Sequence, residues 1–520
     1  MELREFAEPV SFATSLEEKL RAPGVYVFNA FAEGRLAEGK KFNPTKPQAQ
    51  LARDLENLPQ FLCRQDDIVL VTQKPSGEFL SGIKQAGFLL PEFVEVGGSG
   101  ARLWPQAQPQ RAASTGDVGK IECAAAGAPH TAALRELAAR KLGSLRPWAW
   151  GPDSLELLKP VFASVTGEKR DEEKRFNASL AQLYSKTWSA DFLRKILSCR
   201  SRGDETQISK PEISQSLLTS APTEKWLCSE NEIGVAVNSL EAAFAEISKI
   251  RARGHHRIVV KESLGVAGSN ALRLFEPTLL PAQLRWLENE FAHQRELVVE
   301  PWLERELDFS VQLEMTERGL KLCGFTGLLN DARGQFQANF AEPHHHQQIP
   351  AKVVALFREP KDISSRLLEF YGEIFAALED ELRRVDFTGP IGIDAFVYRD
   401  ANGAVKLKPV VEINPRYTMG RVLVELMRQT CQNCHGSFRL VNAAQLRAEG
   451  FENFPNFAKS LTEKFPLLLE GNPPRLRSGA LCLNDPATAQ VCLAVFQVGR
   501  TAFDVSPTTG GPASGTGSPR

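Results

Sequence analysis

The sequence lacks three features that would place it at a membrane, outside the cell or on nucleic acid. No apolar run approaches the roughly 20 residues that a helix needs to span a bilayer. The first residues, Met-Glu-Leu-Arg-Glu, lack the charged-then-apolar pattern of a secretion signal. The 62 lysines and arginines nearly cancel the 63 aspartates and glutamates, so the basic excess of a nucleic-acid binder is missing. We therefore expect a cytoplasmic protein that binds neither nucleic acid nor membrane.

The sequence also lacks a cysteine framework. Its nine cysteines are an odd number without framework spacing, which indicates free thiols in a reducing compartment. Cys431, Cys434 and His435 match the spacing of haem attachment, but that chemistry requires export, and the pattern continues a helical run. We favour structural cysteines over haem or zinc. The adjacent histidines 344–346 cannot all face one metal from a regular element, so a loop at a cleft edge is favoured over a zinc site.

Length and composition predict about three domains with large cores, since 520 residues are 42% hydrophobic. Strands alternate with helices in the N-terminal part, which predicts a parallel sheet. The charge run 168–175 is interpreted as a solvated helix face or a connector. The tail, rich in Pro, Thr, Gly and Ser, is predicted to be disordered. The predicted boundaries are an N-terminal α/β domain over 1–165, a central domain over 166–440, a closing subdomain over 441–505 and the tail over 506–520.

Three polar residues alternate where a predicted strand ends. Glu412, Asn414 and Arg416 are separated by apolar neighbours, and alternate residues of a strand share a face. Carboxylate and amide oxygens are hard ligands suited to Mg²⁺, and a guanidinium suits phosphate or carboxylate. The spacing therefore predicts a site for a phosphorylated, metal-bound ligand, although a surface ion pair is an equally common reason for such residues.

A second acidic strand precedes this one and favours the metal site over the ion pair. Asp394 lies within an otherwise apolar run, and the turn at 399–403 makes the two strands a hairpin. Burying an unpaired carboxylate is costly, and a cation shared with Glu412 would remove that cost. The segment 388–416 is therefore predicted to be a metal-binding hairpin.

A lysine hairpin is predicted within 230–300. A strand ends at Lys261 and is followed by a loop of small residues, where Gly265 and Gly268 would let backbone N–H groups approach phosphates. An ordinary hairpin with an exposed lysine is the alternative. Further on, Pro301 interrupts two apolar strands, and the carbonyl of Glu300 and the amide of Leu303 remain available to an adenine ring.

The two acidic strands, with the sequences GIDAFVYRD and VVEINPR, resemble the metal-binding hairpin of the ATP-grasp superfamily. The resemblance implies that Asp394, Glu412 and Asn414 hold Mg²⁺, with Mn²⁺ also possible, on the phosphates of ATP. It implies that Arg416 is catalytic and faces the transferred phosphate. The implied fold class is α/β: an N-terminal parallel-sheet domain followed by a two-subdomain ATP-grasp fold with antiparallel sheets.

The resemblance extends to the nucleotide site. It implies that Lys261 contacts the α- and β-phosphates and contributes to catalysis, and that a lid closes over them. Either Lys186, at a predicted helix start, or Lys225 is similar to the first nucleotide lysine of the family. The implied ATP-binding residues are Lys186, Lys261, Gly265, Gly268, Ser269, Glu300, Trp302, Leu303 and Asp308, with Asp308 on the ribose.

The implied activity is that of a ligase which uses ATP to activate a carboxylate as an acyl phosphate and joins it to an amine, or less often to a thiol. Arg416 and Arg421 are candidates for binding the substrate carboxylate. The expected partners are ATP and small acid and amine substrates, with a homo-oligomer possible. Two alternatives stay open: a small-molecule kinase on the same site, and a non-catalytic ATP-binding regulatory or scaffold protein.

Overall fold

The computed structural model describes residues 21–96, 132–166, 172–202, 224–265, 271–293, 295–331, 336–502 and 504–505. The predicted disordered tail and the lid residues Gly268 and Ser269 lie outside these ranges. In the described part of the chain, no helix is both long enough and apolar enough to cross a membrane.

Along the chain, β1–β4 form a first small sheet, β5–β8 a second small sheet and β9–β17 one large sheet. The strands are β1 (Gly24–Val27), β2 (Ile68–Val71), β3 (Glu92–Glu95), β4 (Ser144–Pro147), β5 (Val235–Val237), β6 (Ile258–Glu262), β7 (Ala271–Leu274), β8 (Leu297–Pro301), β9 (Glu304–Thr316), β10 (Gly319–Asn330), β11 (Phe336–Ala341), β12 (Gly389–Arg399), β13 (Val405–Asn414), β14 (His435–Asn442), β15 (Leu468–Glu470), β16 (Arg475–Cys482) and β17 (Cys492–Gly499). The helices are α1 (Ala32–Glu38), α2 (Lys46–Asp54), α3 (Gly77–Gln85), α4 (Ala132–Ala138), α5 (Pro152–Leu158), α6 (Glu172–Arg175), α7 (Ala178–Gln182), α8 (Lys186–Arg202), α9 (Leu240–Ala252), α10 (Pro281–Ala292), α11 (Ala351–Leu356), α12 (Ile363–Arg384), α13 (Met419–Met427), α14 (Ala443–Ala448) and α15 (Phe454–Lys464).

The N-terminal part forms the predicted parallel sheet. Its four strands lie in the order β3-β2-β1-β4, and all three neighbouring pairs are parallel. Every residue of β1 and β2 is buried, because helices cover both faces of such a sheet. The prediction of an N-terminal α/β unit with parallel strands is confirmed.

The remaining strands form two sheets. A nine-stranded sheet has the order β13-β12-β9-β10-β11-β14-β17-β16-β15 and is antiparallel throughout, while the small sheet β5-β8-β6-β7 carries the predicted lysine hairpin as β6 and β7. The sequence of 478–483 and 491–496 is compatible with a strand and a helix or with paired strands, and the pairing of β16 with β17 decides for paired strands. Strand β14 spans residue 440, where one domain boundary is predicted, and it continues the large sheet.

The main core lies between α12 and the large sheet. The helical spacing of apolar residues over 361–385 predicts a helix. It is found at Ile363–Arg384, and its apolar face buries Leu367, Phe370, Ile374 and Leu378. Each large apolar side chain removed from water contributes about 1.5–3 kcal/mol, so this face is the main reason why the helix stays on the sheet. Strands β12 and β13, which carry the acidic residues, are part of this core.

Replacing Phe370 with alanine tests how much this face contributes. Phe370 is 0% exposed and lies edge-to-face against Trp226, with ring centroids 5.8 Å apart. We expect Phe370→Ala to lower the free energy of unfolding by about 3–5 kcal/mol, because a cavity replaces the ring. Urea denaturation followed by circular dichroism measures it. Leu329→Ala is the control, since Leu329 is 38% exposed and should change stability by about 0.5 kcal/mol or less. Similar losses in both variants would contradict this account of the core.

Candidate active site

The register of β12 and β13 brings the two predicted carboxylates together. Asp394 lies directly opposite Glu412, and in an antiparallel pair opposite residues point to the same face. On the other side of β12, Asp394 is opposite Ser310 of β9. The Nδ2 of Asn414 donates a hydrogen bond to Oδ2 of Asp394 over 3.2 Å. The alternation seen in the sequence thus corresponds to one polar cluster on a single face of the large sheet.

The surroundings of Asp394 disfavour its charged form. Burial raises its pKa to about 6, the negative charge of Glu412 adds to this effect, and a hydrogen bond from Ser310 opposes it. Glu412 has a counter-charge, since the Nζ of Lys186 lies 3.3 Å from its Oε1. Two neighbouring carboxylates, one of them with a raised pKa, form a site where a cation would be stabilised.

The donor set fits Mg²⁺. It consists of two carboxylates and one amide oxygen, which are hard ligands, and no group of three or more His, Cys, Asp or Glu side chains suited to a metal is found in the described ranges. Mg²⁺ is commonly bound by one or two carboxylates and completed by phosphate oxygens and water. The Oδ1 of Asn414 now accepts a hydrogen bond from Arg416 over 3.0 Å, so Asn414 would exchange this partner for the metal.

The raised pKa of Asp394 predicts a pH-dependent gain in stability for Asp394→Asn. Above about pH 6 the native state carries the buried charge and its full cost, and below that pH the folded protein takes up a proton more readily than the unfolded chain. The stability advantage of the variant over the unsubstituted protein should therefore be largest near pH 7, about 2–3 kcal/mol, and should shrink as the pH falls through 6. Urea denaturation of both proteins from about pH 4.5 to about pH 7.5 measures this difference in stability.

Asp153 offers a matched control for this experiment. Burial also raises its pKa to about 6, and it lies in the N-terminal unit, bonded to Asn29 at 3.2 Å. Asp153→Asn should show the same trend of stability with pH, but only Asp394→Asn should lose Mg²⁺-dependent nucleotide binding. A stability difference for Asp394→Asn that does not vary with pH would contradict the assignment.

Lys186 lies in the cluster and Lys225 does not. Helix α8 begins at Lys186, as predicted. The backbone N–H of Lys186 donates to the carbonyl of Ser263 over 2.8 Å. Its Nζ donates to the carbonyl of Gly265 over 2.8 Å and lies beside Glu412. Lys225 is exposed. Lys186 thus links the lysine hairpin to the acidic hairpin, and its role as the first nucleotide lysine stays a prediction.

A second charged cluster joins the small sheet to the large one. The carboxylate of Glu300 is flanked by Lys261, through Oε1, and by Lys408, whose Nζ lies 2.9 Å from Oε2. Burial would raise the pKa of Glu300, but the two lysine charges lower it overall. Burial lowers the pKa of Lys261, and the charge of Glu300 opposes that shift.

Lys408 and the side chain of Glu300 are site residues that the sequence reasoning missed. The prediction of an adenine site at 300–303, the hinge between two apolar strands, used only the carbonyl of Glu300. Lys408 lies four residues before Glu412 on β13, so the same alternation that selected Glu412 could have found it. Its Nζ also donates to the carbonyl of Glu232 over 3.0 Å.

The space between the two clusters is small. It has a volume of about 20 Å³, enough for roughly one water molecule and too little for an adenine ring. Side chains of both sheets enclose it. Its lining residues are Lys186, Ala190, Ile233, Gly234, Lys261, Val298, Glu300, Lys408, Val410, Val411 and Glu412. Lys261 and Glu412 thus line one space.

The other predicted adenine and ribose residues do not line this space. Leu303 packs into the main core, and Trp302 lies edge-to-face against Phe275, with ring centroids 5.4 Å apart. Asp308 accepts hydrogen bonds from Arg305 over 3.1 Å and from Asn330 over 3.2 Å. In this conformation the hinge therefore contributes only Glu300 to the enclosed cavity.

Arg416 connects the acidic hairpin to the N-terminal unit. Its Nε donates to Oε1 of Glu33 on α1 over 2.6 Å, and its Nη2 donates to Asn414. The following residue, Tyr417, donates its backbone N–H to the carbonyl of Trp148 over 2.9 Å. Glu33 is a further residue that the sequence reasoning missed, and no local pattern identifies it, because it lies 383 positions from Arg416.

Arg421 is fully engaged with protein groups. It lies 2.8 Å from Glu314 and 2.9 Å from Glu425, and it donates to the carbonyl of Leu313 over 3.2 Å. These contacts support a role in attaching α13 to the sheet. They leave its predicted role in binding substrate without support from the geometry.

The cysteine and histidine motifs lie away from the acidic cluster. Helix α13 ends at Met427, so Cys431 and Cys434 lie in a turn and the predicted helical run through them is wrong. Their thiols donate to the carbonyls of Arg475 and Arg477 over 3.6 and 3.5 Å. Histidines 344–346 lie in a turn after β11, as expected, and burial lowers the pKa of His345 to about 4.

Comparison with known proteins finds similarity in structure but not in sequence. No family model matches the chain, and no curated protein matches it. Among solved structures, an N5-carboxyaminoimidazole ribonucleotide synthetase in complex with ADP is similar at 11% identity and a TM-score of 0.44, covering 93% of this chain and 95% of that one. An N5-carboxyaminoimidazole synthetase from Staphylococcus aureus complexed with ADP has 10% identity, a TM-score of 0.41 and the same coverages.

A third similar structure is the biotin carboxylase domain of the Hydrogenobacter thermophilus 2-oxoglutarate carboxylase, in complex with MgADP, ADP and bicarbonate. It has 10% identity and a TM-score of 0.43, covering 92% of this chain and 86% of that one. What these proteins bind is a property of those proteins. The functional assignment of this chain therefore rests on the geometry of its own side chains.

Proposed function

We propose that this chain is an ATP-dependent ligase of the ATP-grasp type, which activates a carboxylate as an acyl phosphate and joins it to an amine. The observation that carries the proposal is the placement of Asp394 and Glu412 on one face, beside Lys186, with Lys261 facing the same small space. Phosphoryl transfer needs positioning and charge stabilisation more than a nucleophilic side chain. This arrangement of oxygens and cations provides both.

Each residue has a distinct role in the proposed reaction. Asp394, Glu412 and Asn414 would hold Mg²⁺, or Mn²⁺, which supplies positive charge to the phosphates when it is bound. Lys186 and Lys261 neutralise phosphate oxygens. Arg416, held in place by Glu33, binds the transferred phosphoryl group and stabilises the charge that develops on it.

Glu300 must be displaced from the two lysines before a nucleotide can bind between the sheets. Its carboxylate occupies the position between Lys261 and Lys408 that a phosphate, another oxyanion, would take. Binding of ATP therefore requires the lysines to exchange Glu300 for phosphate oxygens and the small sheet to move away from the large one. In the present structure the ion pairs of Glu300 hold both lysines.

A substrate screen tests the proposed activity. Purified full-length protein is incubated with Mg-ATP and a panel of carboxylic acids and amines, and products are identified by mass spectrometry. We expect an amide whose formation requires both substrates and ATP, together with release of free phosphate. A phosphorylated product formed without any amine would instead indicate a kinase.

One observation favours a second candidate, a non-catalytic ATP-binding regulatory or scaffold protein. The cavity between the lysines and the acidic hairpin is about 20 Å³, and internal ion pairs fill the place of a phosphate. This candidate predicts that ATP binds, as measured by isothermal titration calorimetry, while no acid and amine in the panel gives turnover. Turnover with any pair would exclude it.

A further inference from the structure

A second and much larger cleft lies between the N-terminal unit and one end of the large sheet. Its volume is about 1090 Å³. It extends along the edge strand β4 to residues 415–417, which follow β13. Pockets for small molecules usually have volumes of about 300–1000 Å³, so this cleft is large enough for an organic ligand. None of the nucleotide-site residues discussed above except Arg416 lines it.

Arg175 is the unusual residue of this cleft. The sequence predicts a solvated charge run here, but Arg175 is only 7% exposed, so that prediction is wrong for this residue. Its Nε and Nη2 are buried and have no hydrogen-bond partner among the residues that the structure describes. The guanidinium lies over the ring of Phe162 at 4.6 Å and over Trp150 at 5.5 Å.

Within the described part of the chain, no hydrogen bond compensates Nε and Nη2 of this guanidinium for the water contacts that they lose on burial. Burial lowers the pKa of Arg175 to about 10, which leaves it charged at neutral pH. Aromatic rings return only part of the lost hydration energy, whereas a hydrogen-bonded anion returns much more. A buried guanidinium with unpaired donors at the wall of a cleft favours the binding of an anion that is not part of the chain.

The other charges of the cleft also favour an anion. Seven of its charged lining residues are lysines or arginines and three are acids. Of the acids, Glu314 is already held by Arg146 and Arg421, each at 2.8 Å. Within the described ranges, no carboxylate lies within salt-bridge distance of Arg175. The remaining wall near it is largely aromatic, with Trp150, Phe176 and Tyr184.

We infer that this cleft binds a small organic anion, with its carboxylate or phosphate oxygens on Arg175 and its apolar body on the aromatic wall. A guanidinium offers parallel donors that match two oxygens of either group. The hydroxyl of Tyr184 lies 2.8 Å from the carbonyl of Trp150 and 3.1 Å from that of Pro415, so the wall of the cleft is bonded to the end of the acidic hairpin. The inference goes beyond the proposed ligase activity and does not need it.

Calorimetric titration of the full-length protein, without nucleotide or Mg²⁺, tests the inference. The probes are benzoate and phenyl phosphate, with benzamide as the neutral analogue of benzoate. We expect at least one anion to bind about 10- to 100-fold more tightly than benzamide, because a charge-assisted hydrogen bond distinguishes them. Preference for benzoate would assign a carboxylate ligand, and preference for phenyl phosphate a phosphorylated one.

Two variants make the test specific to Arg175. Arg175→Met should weaken anion binding about 10- to 100-fold, whereas Lys159→Gln, which removes an exposed charge outside the lining of the cleft, should change binding less than about twofold. Because an unpaired buried charge is removed, Arg175→Met should keep or raise the thermal unfolding midpoint. If Arg175→Met fails to fold, the unsubstituted protein still decides the question through its discrimination between benzoate and benzamide.

Three results would overturn the inference: no binding of either anion up to about 10 mM, binding of both anions no tighter than that of benzamide, or full anion binding by Arg175→Met. Failure of the ligase screen leaves these measurements unaffected, since they contain neither ATP nor amine. Failure here, conversely, leaves the nucleotide site as proposed.

Discussion

Glu412→Gln should reduce ATP-dependent turnover on the order of 10³-fold or more while the protein stays folded. The substitution keeps the shape of the side chain but removes one of the two charges that would hold the metal on the phosphates. Lys186 loses its carboxylate partner but keeps the carbonyl of Gly265, so α8 stays anchored. Steady-state kinetics with Mg-ATP and the substrates found in the screen measure the loss, and circular dichroism establishes that the fold is intact.

A second readout distinguishes loss of a ligand from general damage. The charge of Glu412 is one reason why the pKa of Asp394 is raised, so its removal should move the acidic limb of the residual pH–rate profile to lower pH. Glu306→Gln is the matched control, because Glu306 lies on the same sheet and pairs with Arg399 at 2.7 Å on an exposed surface. It should leave turnover and its pH dependence unchanged. Retained activity in Glu412→Gln would show that the metal assignment is wrong.

Lys261→Met should raise the KM for ATP on the order of 100-fold and lower kcat as well. Lys261 is a half-buried cation of the small sheet that faces this space, and on our proposal its positive charge is used for phosphate. The fold should tolerate the change, because Lys408 still neutralises Glu300 from the other side. Calorimetric titration with ATP and kinetics over a range of ATP concentrations give the two effects.

Lys195→Met serves as the control for this substitution. Lys195 lies on the exposed side of α8 and pairs with Glu381 at 2.7 Å, so its removal should leave the affinity for ATP unchanged. Unaltered ATP binding by Lys261→Met would show that the lysine hairpin is not part of the nucleotide site. A destabilised Lys261→Met variant, with an unfolding midpoint well below that of Lys195→Met, would instead show that the cluster around Glu300 is structural.

Much of the site's framework was predictable because it depends on short-range patterns. The two-residue period of β13 places Glu412 and Asn414 on one face, and the turn at 399–403 brings Asp394 back beside them. The same kind of local signal predicted α12 and the N-terminal parallel sheet. These features follow from the sequence because a strand or helix repeats its geometry every few residues.

Contacts between distant segments were not predictable in this way. Lys408 and Glu300 are 108 positions apart, and Arg416 and Glu33 are 383 apart, yet each pair shares a close ion pair. The hinge residues Trp302 and Leu303 fit an adenine pocket by their order in the sequence, but the packing of the two sheets directs them elsewhere.

The sequence by itself thus determined which strands carry the acidic residues, which face those residues share and which hairpin carries Lys261. Only the tertiary structure decided that Glu300 lies between two lysines, that Arg416 is held by the N-terminal unit and that Arg175 is buried without a counter-charge among the described residues. The physical reason is that periodicity sets the direction of a side chain relative to its own strand or helix. Its partner and its exposure to water are set by whichever distant segment packs against it.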